Sequence, residues 1–262
     1  MLREADKKRR SIALLRELAA KSTELLGEHA DGMQTIDRAG FTARALWAGC
    51  ISKAKAIAQL LKHGHADESS ILIRSLQSDA HRLAFASQQG DRSAEWLLRV
   101  INLRAGNIER FAGAARDSSQ GHGIDGLRVL ADQHHELVRN EMKRLGLSKL
   151  PKFPAEGKAM AMKLGRPDDL IDYVASSMAV HGSLSGMGFS PRMGDDGIVQ
   201  ISIQSDSPEL AVAIAGRASR YVQLATVSSL EIVGSAVLEA AERMLERLLV
   251  QQIELEGTGE SR

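Results

Sequence analysis

The stretch ILIRSLQSDAH, residues 71–81, places apolar and polar side chains on two faces of one helix. Its apolar residues, and those just beyond it, recur every three or four positions along a single stripe: Leu72, Ile73, Leu76, Ala80, Leu83 and Ala84. The polar residues fall on an adjoining face: Arg74, Gln77, Ser78 and His81. This pattern predicts an amphipathic helix that buries its apolar stripe against other helices.

The same helical spacing continues over most of the chain. It predicts a first helix that ends near Gly27 and a long C-terminal helix broken near Gly216 or Gly234. The clearest loop is LSKLPKFP, residues 147–154, and the one β-type pattern is GIVQISIQS, residues 197–205. The sequence therefore predicts an all-α, multi-helix bundle with at most one small β hairpin, near residues 198–204.

No internal repeat or long linker divides the chain, so we expect a single helical domain over residues 1–262. Its expected parts are an N-terminal helix (1–30), a core (31–206), a C-terminal helix (207–256) and a tail (257–262).

The composition sets limits on location and partners. Lys and Arg number 34 against 33 Asp and Glu, so no net charge attracts nucleic acid over long range. The single cysteine, Cys50, excludes an intramolecular disulfide. Neither a signal peptide nor an apolar run long enough to span a bilayer is visible. We therefore expect a cytoplasmic protein that does not enter membranes.

Arg74 and His81 form the first candidate site. They share one helix face about 10 Å apart, so a phosphate between them could be bound by the guanidinium while the imidazole moves a proton. The alternative is an ordinary polar stripe at the edge of a core, which most amphipathic helices carry.

The second candidate site is DYVASSMAVHG, residues 172–182, where Tyr173, Ser177 and His181 step by four along one helix face. The alternative is that His181 makes a structural hydrogen bond to a neighbouring helix. The other histidines, in HGH at 63–65 and HH at 134–135, lack the spacing of a metal site, and no glycine-rich loop fits a nucleotide fingerprint. We therefore expect no metal and no bound cofactor.

Three stretches together, SSILIRSLQSDAHRLAF, LPKFPAEGKAMAMKLG and DYVASSMAVHG, resemble a large bacterial family catalogued only as a domain of unknown function, number five-six-seven-seven. The resemblance spans roughly residues 40–230 and matches Arg74, Tyr173 and His181 to the family's arginine, tyrosine and histidine. The acid that the family places three or four residues after the arginine is absent, since this chain has Gln77 and Ser78. The resemblance implies a helical fold without a settled activity, similar in style to phage-defence and toxin–antitoxin domains such as the HEPN ribonucleases.

The leading functional hypothesis is a bacterial defence or stress protein that acts on or binds RNA or nucleotide phosphate. If it is an enzyme, we expect metal-independent, ribonuclease-like chemistry in which Arg74 binds phosphate and His181 or His81 transfers protons, with Tyr173 and Ser177 orienting them. The alternative is a non-enzymatic bundle that senses a ligand or docks a partner protein.

The segment 210–255 carries more apolar residues than one stripe holds, and no later segment is available to cover its second half. This predicts a homo-oligomer, most simply a twofold dimer through the C-terminal helix. The alternative is that this half folds back on the N-terminal helix.

Overall fold

A computed structural model describes residues 3–31, 38–116, 124–180, 189–193, 199–203, 207–234 and 237–257, with the backbone alone for 29–31, 38–39, 67, 115–116, 124–125, 175–180 and the two strands. The helices are α1 (Glu4–Asp31), α2 (Arg38–Lys62), α3 (Ala66–Ser87), α4 (Ser93–Arg116), α5 (Ile124–Arg144), α6 (Lys158–Lys163), α7 (Asp169–Val180), α8 (Pro208–Ile232) and α9 (Leu238–Gly257). The strands are β1 (Phe189–Met193) and β2 (Val199–Ile203). The all-α prediction is confirmed, and the loop predicted at 147–154 separates α5 from α6.

The central helix of the bundle is α8, which packs against α1, α2, α3 and α9. Its start is defined locally, because the Ser207 hydroxyl accepts a hydrogen bond from the Leu210 amide at 3.3 Å and Pro208 occupies the first turn. Of its 25 residues, 14 are buried, and many of them are small, which lets four neighbouring helices approach closely. The core therefore surrounds α8.

A buried polar junction joins three of these helices. Trp47 Nε1 of α2 donates to Thr226 Oγ1 of α8 at 2.9 Å, and Thr226 Oγ1 lies 3.1 Å from Ser22 Oγ of α1. All three side chains are buried. Because a buried polar atom without a partner costs about 1–3 kcal/mol, this junction favours one relative register of the three helices.

Two helix ends were predicted from glycine positions, one wrongly and one correctly. The first helix does not end at Gly27 but continues to Asp31. A glycine inside a helix costs only about 1 kcal/mol, and the neighbouring Leu25 is buried in the core, which offsets that cost. The C-terminal segment is broken at Gly234 (φ 66°), one of the two glycines predicted for the break, while Gly216 lies buried inside α8.

The two strands form an antiparallel pair in which Phe189 lies opposite Ile203. The second strand was predicted from its β-branched residues. The first was not, because Pro191 lies within the short run FSPRM, and a proline inside such a run argues against a strand. A two-stranded ladder has only edge strands, and an edge strand tolerates a proline that donates no hydrogen bond.

The apolar stripe of α9 is covered within the chain by α1 and α8. Its buried residues are Ala241, Leu245, Leu248, Gln252 and Leu255, and Gln252 Nε2 donates to Ser11 Oγ of α1. The fold-back alternative is therefore the observed arrangement, and the reason for expecting a dimer through this segment no longer holds. Among the described helices, none combines the length and the hydropathy needed to cross a lipid bilayer.

We predict that Leu245→Ala destabilises the isolated chain by about 2–5 kcal/mol, since it removes a fully buried side chain from the contact of α9 with the bundle. Ile253→Ala is the matched control on the same helix, because Ile253 is 49% exposed, and it should change stability by less than about 0.5 kcal/mol. Urea unfolding followed by circular dichroism measures both values. A midpoint for the wild-type chain that rises with protein concentration would contradict coverage of α9 within one chain.

Candidate functional site

The polar face of α3 is the surface on which the start of α7 packs. Gln77 Nε2 donates to the backbone carbonyl of Asp169 at 2.7 Å, and His81 Nε2 lies 2.7 Å from Asp169 Oδ2. One turn further along α7, Tyr173 OH accepts from Arg74 Nη2 at 3.3 Å. Arg74 of the first candidate site is therefore in contact with Tyr173 of the second.

His81 and Asp169 form a buried pair, since each side chain belongs to a residue that is only 4% exposed. Arg166 Nε donates to the same Asp169 oxygen at 2.6 Å. Burial alone would raise the pKa of Asp169, but the hydrogen bonds from His81 and Arg166 outweigh it and hold this pKa below its ordinary value. The carboxylate is thus ionised at neutral pH, and it accepts from Nε2–H of His81.

An ionised partner on Nε2 fixes the tautomer of the neutral imidazole. In that neutral form the proton resides on Nε2, so Nδ1 carries the lone pair and can act as an acceptor or base. Among the described residues, the bond to Asp169 is the one side-chain hydrogen bond of the His81 ring. An oriented His–Asp pair with one available nitrogen is an arrangement that can take a proton from a bound molecule.

A second buried pair supports the first from the side of α8. Tyr221 OH donates to Asp172 Oδ2 at 2.9 Å, and Arg217 Nε pairs with Asp172 Oδ1 at 2.8 Å. The Tyr221 ring meets the His81 ring edge-on, with centroids 5.8 Å apart. Burial, together with the nearby Asp172 and Asp169 charges, raises the pKa of Tyr221, so its hydroxyl stays protonated.

His81 and Gln77 line a cavity of about 330 Å³ between α3, α4 and the segment 152–160. Both of these residues are buried, whereas Lys152 is exposed and Arg99 is half-buried. The buried end of the cavity is therefore polar, and its open end carries these two cations beside the Arg82–Glu156 ion pair. Apolar and aromatic side chains supply the rest of its wall, among them Leu103, Phe153, Met160 and Tyr173.

The loop 147–157 is fixed against the bundle by two of its residues, Phe153 and Glu156. The Phe153 ring packs against Trp96 and Phe85, with centroids 5.1 Å and 5.9 Å away. Glu156 accepts from Arg82 at 2.6 Å and from Ser78 at 2.7 Å. This loop is a wall of the cavity held by aromatic and ionic contacts.

Gly157 ends that loop in a backbone conformation that favours glycine, with φ 77°. A Cβ atom built on it would lie 2.8 Å from Cε1 of Tyr173. Because both the dihedral and the contact require a hydrogen at this position, Gly157 lets the loop close directly against the Tyr173 ring.

The residues predicted as the site are only partly brought together. Tyr173 and His81 line the same cavity, but Arg74 does not. The Arg74 guanidinium lies over the Tyr173 ring, 5.1 Å from its centroid, and Arg74 lines a separate surface groove. Ser177 belongs to α7, but its side chain, like the whole of His181, lies outside the described residues.

The acid that the family pattern places after the arginine has no equivalent at this point of α3. Asp79, the next acid after Arg74 in the sequence, is buried, and its carboxylate pairs with Lys53 of α2 at 2.5 Å. The acid beside His81 is instead Asp169, 88 residues later in the chain. In the sequence, Asp169 is an acid in the first turn of a helix, where the helix dipole favours a negative charge. Because this local explanation was sufficient, its pairing with His81 was not predicted.

Arg99, Lys152, Phe153 and Glu156 were also not predicted. Phe153 and Lys152 lie in the predicted loop, where the pairing of a basic and an aromatic residue was the one available signal. Within the part of the chain that the structure describes, no cluster of His, Cys, Asp and Glu is arranged to hold a metal ion.

The comparisons with known proteins give one match. The model of the "Family of unknown function (DUF5677)" matches residues 41–198. All the residues that line the cavity fall inside this segment, whereas α1, α8 and α9 lie outside it. No curated protein and no solved structure matches the chain.

We predict that Asp169→Asn destabilises the chain at pH 7 by about 1–3 kcal/mol, because Arg166 and His81 lose their buried charged acceptor. The folded-state pKa of Asp169 lies below its unfolded value, so its contribution is present above about pH 4 and is lost as the pH falls through the folded pKa. The wild-type and variant stabilities should therefore converge on acidification. Urea unfolding between pH 7 and pH 2.5 measures this.

Asp168→Asn is the control, since Asp168 is the exposed neighbour in the sequence, and it should stay within about 0.5 kcal/mol of wild type. Equal stability of the Asp169 and Asp168 variants at pH 7 would show that the buried pair does not hold α7 on α3.

We also predict that Gly157→Ala is more destabilising than Gly165→Ala. Both glycines have positive φ, 77° and 68°, so each alanine carries a dihedral cost of about 1–2 kcal/mol. Only at position 157 does the new methyl group collide with the Tyr173 ring, which adds about 1–3 kcal/mol. Equal losses in thermal or urea unfolding would contradict the close approach of the loop to Tyr173.

Proposed function

The chain belongs to the DUF5677 family of unknown function, and we propose that it binds a nucleotide, free or at the unpaired end of an RNA, in the cavity beside His81. The observation that carries this proposal is the polarity of the cavity: cations stand at its open end and hydrogen-bond acceptors at its buried end. A nucleotide has the complementary arrangement, with an anionic phosphate at one end and donor groups on the base at the other.

In this proposal, Arg99 and Lys152 bind the phosphate group. Neither side chain has an ion-pair or hydrogen-bond partner among the residues that the structure describes, and both line the cavity. Arg82 is different, because Glu156 and Asp79 already neutralise it. An arginine and a lysine with no competing carboxylate are well suited to a phosphate group.

The size of the cavity favours one nucleotide over a duplex. A volume of about 330 Å³ lies at the lower end of the range for small-molecule sites. Phe153 and Tyr173 contribute aromatic rings to the wall, and unpaired bases stack on such rings. Double-stranded RNA is recognised across an exposed groove instead.

His81 supplies an oriented acceptor at the buried end, through its Nδ1. The alternative use of this nitrogen is as a base: with a 2′-hydroxyl of RNA at the buried end in place of a nucleobase, Nδ1 would take its proton, which is the first step of metal-independent cleavage, and the two uses exclude each other in one complex. Cleavage of total RNA by the wild-type chain but not by His81→Ala would establish a ribonuclease-like activity. In this proposal Arg74 positions Tyr173, and the roles predicted for Ser177 and His181 stay predictions.

The second candidate function is a protein-interaction or ligand-sensing bundle. It is favoured by apolar side chains on the outer face of α7, where Ile171 is 67% and Val174 is 49% exposed. Binding of a ligand beside His81 would also affect the position of α7, the helix that carries these two residues.

We place either function in the bacterial cytoplasm, in defence or stress response. This setting rests on the analogy with HEPN domains. A homo-oligomer stays a prediction.

We predict that 5′-mononucleotides bind at least about tenfold more tightly than their nucleosides, because the phosphate pairs with Arg99 and Lys152. Isothermal titration of GMP and AMP against guanosine and adenosine measures this. Arg99→Gln should abolish the advantage of the phosphate, whereas Arg247→Gln, which removes an exposed cation of α9, should not. Absence of mononucleotide binding at millimolar concentration, or an Arg99→Gln chain that binds like wild type, would overturn the proposal.

A further inference from the structure

We propose that the buried end of the cavity selects guanine over the other bases, with Gln77 and His81 as the residues that determine specificity. This inference rests on the proposed nucleotide binding and adds to it the identity of the base. It follows from the directions in which two fixed side chains can form hydrogen bonds.

The orientation of the Gln77 amide is set by its partner on α7. Its Nε2 donates to the backbone carbonyl of Asp169 at 2.7 Å, and a carbonyl can only accept, so the nitrogen must lie on that side. The carbonyl oxygen, Oε1, is left as an acceptor. It is buried and has no hydrogen-bond partner within the described residues, in a side chain that is only 2% exposed and lines the cavity.

His81 is restricted in the same way by the same residue. Its Nε2–H is held by the ionised Asp169 carboxylate, so in the neutral imidazole the remaining nitrogen, Nδ1, is also an acceptor. Gln77 and His81 are one helical turn apart on α3, a spacing that places their side chains next to each other. The buried end of the cavity therefore offers a ligand two neighbouring hydrogen-bond acceptors.

Two neighbouring acceptors match only one of the common bases. Guanine presents two adjacent donors on its Watson–Crick edge, N1–H and the exocyclic N2 amino group. Adenine and cytosine each place a donor next to an acceptor, and uracil has a single N–H between two carbonyls. A mismatched base would set one of its lone pairs against Oε1 or Nδ1 and leave that buried atom unpaired, which is costly.

The inference is tested first on the wild-type chain, by titrating GMP, IMP and AMP under one set of conditions. IMP is GMP without the 2-amino group, so it offers one donor rather than two. We expect GMP to bind at least about tenfold more tightly than AMP, with IMP between them. AMP binding as tightly as GMP would overturn guanine selection, and equal binding of GMP and IMP would overturn the two-acceptor arrangement.

A variant then assigns the effect to Gln77. Gln77→Met keeps the length of the side chain and removes its acceptor together with the donor to Asp169; in a variant that stays folded, GMP affinity should fall at least about tenfold while AMP affinity changes by less than about threefold. Ser75→Ala, an exposed position on the same helix, is the control and should leave both affinities unchanged. Equal losses for GMP and AMP would overturn the assignment.

The two proposals fail differently. If mononucleotides bind through their phosphate without preference for a base, guanine selection is wrong and the proposed function stands. If no mononucleotide binds, the proposed function itself is wrong. The comparison of GMP, IMP and AMP needs no substitution, so it decides the inference even where Gln77→Met does not fold.

Discussion

The arrangement of the cavity depends on the hydrogen bonds that surround Asp169. A carboxylate buried this deeply costs several kcal/mol unless charged or polar partners replace the water that it loses. Here His81 and Arg166 bind the carboxylate, and Gln77 binds the backbone carbonyl of the same residue. A shift of α7 along α3 by one residue would leave Gln77 and His81 buried without their partners on Asp169, while Arg166, three residues before Asp169, would keep its bond. The contact therefore specifies the register of the two helices, which apolar packing alone would leave less defined.

Once α7 is fixed, the position of Tyr173 follows, and with it the wall of the cavity. The Arg74 guanidinium covers the Tyr173 ring, and Gly157 approaches the ring closely because it has no side chain. The loop that ends at Gly157 carries Lys152 and Phe153 to the open end of the cavity. The charge at the mouth and the acceptors at the buried end thus depend on one helix-to-helix contact, although the groups involved are far apart in sequence.

The sequence determines the helices well because apolar periodicity is a local property. The stripe of α3 is buried as predicted, and the break near Gly234 occurs at one of the two glycines proposed for it. Gly27 shows the limit, since the same residue type was predicted to end a helix that continues through it. The difference lies in tertiary packing, which no local pattern contains.

The candidate site was predicted less well, for the same physical reason. Arg74, Tyr173 and His81 were recognised because they stand out on helix faces, and Arg74 and Tyr173 are in contact. Asp169 has a sufficient local explanation as a first-turn acid, so nothing in the sequence indicated a partner 88 residues away. Arg99 and Lys152 are ordinary surface cations until the fold shows that they face the same cavity.

The segment that matches the family model does not contain every residue that positions His81. The cavity residues all lie within 41–198, but Tyr221, whose ring meets His81 edge-on, belongs to α8 outside that segment. Tyr221 also binds Asp172, three residues after Asp169 on α7. Because α8 is the central helix of the core, this tyrosine couples the packing of the whole bundle to the orientation of the His81 ring. The acceptor that we assign to His81 is thus positioned from two sides: by Asp169 within the matched segment, and by a core helix that the segment does not include.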